Sequence, residues 1–125
     1  MPICSFFYPR YAPGGVRSWG PSRALILDAG TEQANNYVKV LAMIETREAI
    51  ENLDSILDLP GLDGAFVGPS DLSISLGVAP QGRPTDPVVT GAIDKVLSAC
   101  KARGKLKMLY CGDKQWAKEA LSQGW

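Results

Sequence analysis

A parallel α/β sheet is the fold class this sequence predicts, and three observations predict it. Short apolar runs occur at Val38–Glu45 (VKVLAMIE), Ala65–Val67 and Leu106–Tyr110. Each run is followed by a segment with apolar residues at helical spacing. Gly and Pro punctuate the junctions between them. Strand–helix alternation of this kind implies parallel strands joined by right-handed crossovers. The runs are nearly continuous rather than alternating, which predicts strands buried on both faces.

Taken in order, residues 1–23 are rich in Pro, Gly, Tyr and Arg and read as irregular loop. The start, Met1 to Arg10, is apolar without a basic stretch ahead of it, and is not read as a signal peptide. A short helix is expected around Thr31–Asn36, then the first strand over Val38–Glu45. Thr46 is suited to cap the next helix. That helix carries Ala49, Ile50, Leu53, Ile56 and Leu57 on one face. Leu59-Pro60-Gly61 breaks it, and the second strand, Ala65–Val67, follows. Gly68-Pro69-Ser70-Asp71 opens a short helix running through Leu76, and residues 77–85 are loop. Asp86-Pro87 is an N-cap followed by Pro at N1. The helix it starts places Val89, Ile93, Val96, Leu97 and Cys100 on one face and ends at Gly104. The third strand is Leu106–Tyr110. A last helix starts near Asp113 with Ala117, Ala120 and Leu121 inward. The whole is read as one incomplete domain over 1–125, with strand–helix units from 37 onward.

Composition narrows the function. Thirteen Lys plus Arg balance 13 Asp plus Glu, which argues against a nucleic-acid footprint or a polybasic membrane patch. No apolar run is long enough to span a bilayer. Three cysteines (Cys4, Cys100 and Cys111) at wide spacing suit a reduced, cytoplasmic chain better than a disulfide framework. The 125 residues contain no His, which removes histidine zinc sites and His-activated nucleophiles from this chain.

Two carboxylates carry the candidate chemistry. Glu45 and Asp71 each follow the C-terminal end of an expected strand, one strand–helix unit apart. In parallel α/β architectures those positions face a common crevice where sites form. Paired oxygen ligands there suit a hard divalent ion. The competing reading makes each a polar strand end or a helix cap, with Ser70 or Asp71 as the cap. The Gly68–Asp71 turn also leaves free N–H groups at a helix start, suited to a carboxylate or phosphate.

Met43 to Gly77, MIETREAIENLDSILDLPGLDGAFVGPSDLSISLG, resembles the signature region of the HpcH/HpaI aldolases. The matching elements are Ile44-Glu45-Thr46 and the run Gly61 to Ser73, which follows the pattern G-x-D-G-x-F-x-G-P-x-D-L-S. Tyr11 to Arg17 is similar to the family's Y-P-P-x-G-x-R loop, and weaker similarity continues through Gly104 to Trp125. The resemblance implies a TIM (β/α)8 barrel, of which this chain is a part: about three strand–helix units, family strands five to seven. It implies a carbon–carbon lyase that cleaves 4-hydroxy-2-keto acids to pyruvate and an aldehyde through a metal-stabilised enolate. Carried onto this sequence, the metal ligands are Glu45 and Asp71, for Mg2+ or Mn2+, with Co2+ also suitable. The N–H groups of Ser70 and Asp71 would hold the pyruvate carboxylate. Full-length relatives are expected to be homo-oligomers. Two departures stand out: Met43 replaces a substrate-binding Gln, and the family's catalytic His and keto-supporting Arg have no counterpart here.

Two other readings stay open: a catalytically inactive fragment or pseudoenzyme, and a phosphate- or carboxylate-binding α/β module built on Gly68–Asp71. Among lesser signals, Arg10 and Arg17 are suited to bind anions, with the resemblance making Arg17 a loop-structuring residue. Trp19, Trp116 and Trp125 read as packing or subunit contacts. Lys105 and Lys107 flank a strand in a way compatible with a Schiff-base lysine, though strand-end lysines are commoner. Cys111 is expected at the same mouth as Glu45 and Asp71, as a small apolar residue rather than a reactive thiol. Arg47 and Glu48 read as solvated first-turn residues.

Overall fold

The structure is a computed structural model that describes residues 9–20, 22, 26 and 30–125. Cys4 and the start of the expected N-terminal loop lie outside the described residues. The chain divides into two compact units, 1–40 and Leu41–Trp125.

In the first unit, helix α1 spans Thr31–Tyr37, one residue beyond the expected segment. Its Asn35 amide brackets Tyr11 on both sides: the Tyr11 N–H donates to Asn35 Oδ1 (2.6 Å), and Asn35 Nδ2 donates to the Tyr11 carbonyl (2.9 Å). That pairing satisfies the backbone of a buried loop residue. The Trp19 ring meets the Tyr11 ring edge-on at 5.3 Å, and the Arg17 guanidinium lies 4.9 Å from its centroid. Arg17 therefore helps to structure its own loop, by a cation–π contact.

The second unit carries the sheet. Strands β1 (Leu41–Ile44), β2 (Gly64–Val67) and β3 (Leu106–Leu109) lie side by side in chain order, all parallel. Two helical pieces, α2 (Arg47–Glu51) and α3 (Leu53–Leu57), join β1 to β2. The single helix expected here is split at Asn52, whose backbone leaves the helical region at φ −98°, ψ 15°. Helices α4 (Pro69–Ser75) and α5 (Pro87–Ala102) join β2 to β3, and α6 (Lys114–Gln123) follows. Two caps, Thr46 and Asp86, are those the sequence predicts, and Asp113 is a third. Thr46 accepts from the Ala49 N–H, Asp86 from Val88 and Asp113 from Trp116.

The core lies on one side of the sheet. Helix α5 packs on β2 and β3 and touches α3 and α4. Its buried stripe is Val89, Ala92, Ile93, Val96, Leu97 and Cys100, which contains every residue expected there. On the covered side of the sheet Ile44, Ala65 and Val67 are fully buried, with Leu53, Leu57 and Leu72 completing the core.

The other side of the sheet corrects the expectation of strands buried on both faces. The register aligns Met43, Phe66 and Met108 in one row across the three strands. Met43 and Met108 are each 53% exposed, Leu106 46% and Tyr110 59%. Apolar side chains on both faces of a strand state that both faces suit burial. They do not state that the chain itself supplies both covers, and the described residues supply one. Leu121 is a second correction. Expected inward, it is 69% exposed, and in α6 only Ala120 is buried.

Candidate active site at the C-terminal ends of the strands

The last paired row of the sheet is Ile44, Val67 and Leu109. Glu45, Gly68 and Tyr110 come next, so they form the row at the C-terminal mouth. Two hydrogen bonds extend the ladder to that row: Gly68 N–H to the Ile44 carbonyl (3.4 Å) and Tyr110 N–H to the Val67 carbonyl (3.2 Å). Side chains alternate along a strand, so this row shares a face with Met43, Phe66 and Met108, the open face.

Glu45 is half-buried and leans across the end of β2. Its Oε2 lies 3.1 Å from where a Cβ at Gly68 would sit, and its own Cβ at 3.6 Å. Gly68 adopts φ −99°, a conformation open to any residue. The absent side chain is therefore not a backbone necessity. It leaves room for the Glu45 carboxylate. Gly68 is also the N-cap of α4, which carries Asp71 in its exposed first turn.

The helix-cap alternative for the acidic pair is not what the structure shows. The N-cap of α4 is Gly68, with no side-chain cap bond, so neither Ser70 nor Asp71 is spent on capping. Thr46, not Glu45, caps α2. Among the described residues, no hydrogen bond or ion pair engages either the Glu45 or the Asp71 carboxylate. The N–H groups of Ser70 and Asp71 also lack backbone acceptors there, as a first helical turn leaves them. Two unspent carboxylates and two free donors thus share one end of the sheet.

Two other sequence candidates add no reactive group to this mouth. Lys105 precedes β3, at the opposite end, and its Nζ donates to the Leu62 carbonyl at 2.5 Å. An amine so placed is no Schiff-base candidate for the mouth. Cys111 does follow β3, but burial, with the Asp113 charge beside it, pushes its thiol up. A neutral thiol is a poor nucleophile and a poor ligand. Sequence reasoning missed two features. Tyr110 joins the mouth row, which only the register reveals. Arg47, read as a solvated first-turn residue, is exposed yet bonded to the far end of α4.

A parallel sheet with acidic side chains and free helix-start donors at its C-terminal edge defines an α/β-barrel type of site. The chain belongs to the HpcH/HpaI aldolase/citrate lyase family, which matches over residues 7–124. A hydroxypyruvate/pyruvate aldolase of Rhizorhabdus wittichii is 43% identical over 116 residues, 91% of this chain and 46% of that protein. A 4-hydroxy-2-oxo-heptane-1,7-dioate aldolase of Salmonella paratyphi B is 40% identical over 120 residues, 92% of this chain and 45% of that protein. The crystal structure of an HpcH/HpaI aldolase from Desulfitobacterium hafniense superimposes with a TM-score of 0.77 at 30% identity, over 92% of this chain and 46% of that one. The fold is thus a partial TIM barrel, and the chain spans somewhat under half the length of the relatives it matches.

The contact between Gly68 and Glu45 yields a first prediction. In Gly68→Ala the new methyl displaces the Glu45 carboxylate by a few tenths of an ångström, leaving the backbone unstrained. For the metal site proposed below, divalent-metal affinity is expected to fall about tenfold, the size of effect seen when a ligand's support is altered. Stability should stay within about 0.5 kcal/mol of wild type. Calorimetric Mn2+ titration beside chemical denaturation checks both; unchanged affinity would remove the carboxylate from the site.

Proposed function

We propose that this chain provides the metal- and carboxylate-binding part of a class II pyruvate aldolase, a lyase acting on 4-hydroxy-2-keto acids. The observation that carries the reading is the pair of unspent carboxylates, Glu45 and Asp71, at one end of the sheet. Family membership and the relatives' named activities support the chemistry.

The residues fit a hard divalent cation. Both donors are carboxylate oxygens, and among the described residues no cluster of three or more His, Cys, Asp or Glu offers a softer or fuller cage. Mg2+ and Mn2+ are held in this way, by one or two carboxylates, with substrate and water completing the shell. Co2+ is also compatible with such a set. When bound, the ion supplies a Lewis acid for the electron pair released as the carbon–carbon bond breaks. Glu45 and Asp71 hold it at the mouth. The Ser70 and Asp71 N–H groups, at the positive end of a helix, orient the keto-acid carboxylate. Met43, on the same open face as Glu45, offers contact area but no hydrogen-bond donor. These 125 residues contain no imidazole, so within this chain a proton relay rests on a carboxylate, Lys, Tyr, Cys or water.

The test is binding first and turnover second. Pyruvate or its unreactive analogue oxalate is expected to bind the 125-residue chain only when Mn2+ or Mg2+ is present. Binding of inorganic phosphate without metal would instead favour a phosphate-binding module at Gly68–Asp71. Pyruvate release from 4-hydroxy-2-keto acids is expected to be slow in this chain alone, because no imidazole is present to relay the proton. Metal-independent oxalate binding would overturn the site assignment.

A further inference from the structure

We infer that Arg47 and Ser75 form a clamp that fixes the spacing of Glu45 and Asp71, an inference that rests on the metal-site reading above. The Arg47 backbone N–H donates to Ser75 Oγ at 2.8 Å. The Arg47 guanidinium donates through Nη2 to the Leu76 carbonyl at 3.1 Å. Arg47 lies two residues after Glu45, and Ser75 lies about one helical turn after Asp71. The two bonds therefore join the segments that carry the two carboxylates.

Each bond fills a need that the local chain leaves open. Arg47 is the first residue of α2, so its N–H has no partner within the helix. The Thr46 side chain is already used, accepting from Ala49. The Ser75 hydroxyl, reaching across 28 residues of sequence, takes that role for Arg47. Leu76 is the C-cap of α4, where carbonyls point out unpaired and the helix end is negative. A guanidinium there is matched in both hydrogen bonding and charge.

The sheet gives less support at this level. Its pairing between β1 and β2 ends at Ile44 and Val67, and the one backbone bond beyond, from Gly68 to Ile44, is long at 3.4 Å. Glu45 follows the last paired residue of β1, and Asp71 stands on a helix of seven residues. The clamp ties the start of α2 to the end of α4, so Glu45 and Asp71 sit within a loop closed by the β1–β2 ladder on one side and by Arg47 on the other. Arg47 and Ser75 touch no reacting atom in this arrangement; they are positioning residues.

The test is Mn2+ affinity of the full 125-residue chain, with free Mn2+ followed by electron paramagnetic resonance. Ser75→Ala, Arg47→Ala and the double variant are each expected to bind about tenfold more weakly or worse, as changes behind metal ligands do. Ser75→Thr keeps the hydroxyl and Arg47→Lys keeps a cationic donor, and each should recover most of the wild-type affinity. Measurements are made where circular dichroism shows every variant folded, so lost stability cannot produce the effect. A merely structural tie would lower the unfolding midpoint and leave the folded protein's affinity alone. Wild-type affinity in the double variant overturns the clamp while leaving the metal site standing. Failure of Ser75→Thr and Arg47→Lys to recover affinity overturns it too. A wild-type chain that binds no Mn2+ sinks the metal-site reading, and the clamp with it.

Discussion

Glu45→Gln and Asp71→Asn are each expected to weaken Mn2+ binding by at least about 100-fold. Changes to groups that only support a metal ligand cost roughly 10- to 100-fold in affinity, so removing a ligand's charge should reach or pass the upper end. The substitutions keep size and shape and remove the negative charge that a hard cation requires. Neither carboxylate has a partner among the described residues, so neither substitution strands a buried donor. Surface changes of that kind usually alter stability by less than about 0.5 kcal/mol. Affinity should therefore collapse while the unfolding transition stays in place. Titration calorimetry with Mn2+ and urea denaturation of the same samples give both readings. If both variants retain wild-type affinity, the ion is held elsewhere or not at all. If affinity and stability fall together, the carboxylates serve the fold rather than a ligand. The result also separates the enzyme reading from the phosphate-binding one, because free N–H groups at Ser70 and Asp71 survive both substitutions.

The parts of this site that were legible in the sequence share one property: they follow from local pattern. Apolar runs and helical spacing locate the strands and helices, and a carboxylate just past a strand is placed at the mouth by the fold class alone. That pattern puts Glu45 and Asp71 at one end of the sheet; the metal role proposed for them was legible only through the family resemblance. Gly68 is different. Its turn chemistry was readable, but the reason for a glycine was not, because the group it makes room for is the Glu45 side chain on the neighbouring strand. Arg47 looked like any charged first-turn residue, since a partner 28 residues away leaves no periodic trace. The open sheet face was misread for a related reason. Leu41, Met43, Phe66, Leu106 and Met108 are as apolar as residues that other elements cover, and composition cannot tell which cover lies within the chain. Leu121 shows the same limit on a helix: spacing identifies a stripe, but not how much of its width is packed.

Gly64→Ala is expected to destabilise the chain by about 3 kcal/mol or more, the largest stability effect foreseen for a single methyl here. Gly64 is the first residue of the central strand and pairs with Leu106 of β3. A Cβ added there would lie 2.0 Å from the Leu106 carbonyl oxygen and 2.5 Å from its carbon. Those are backbone atoms, so no side-chain rotation relieves the overlap; the strands must separate or slide. Overpacking ordinarily costs about 1–3 kcal/mol, and more when backbone has to move. A domain of this size has roughly 5–15 kcal/mol in all. The loss falls on a sheet whose order is β1-β2-β3, where the middle strand holds both ladders. Sliding β3 would also carry Tyr110 out of the mouth row it shares with Glu45 and Gly68, so the damage reaches the site through the register. Gly91→Ala is the control. It adds the same methyl to an exposed position of α5 with nothing within 4 Å. There, helix propensity should stabilise by up to about 1 kcal/mol. Opposite signs for the two glycines would tie the effect to the β2–β3 contact. A loss under about 1 kcal/mol for Gly64→Ala would mean that the two backbones do not approach as the register requires, and the alignment of Val67 with Leu109, on which the mouth row depends, would have to be redrawn.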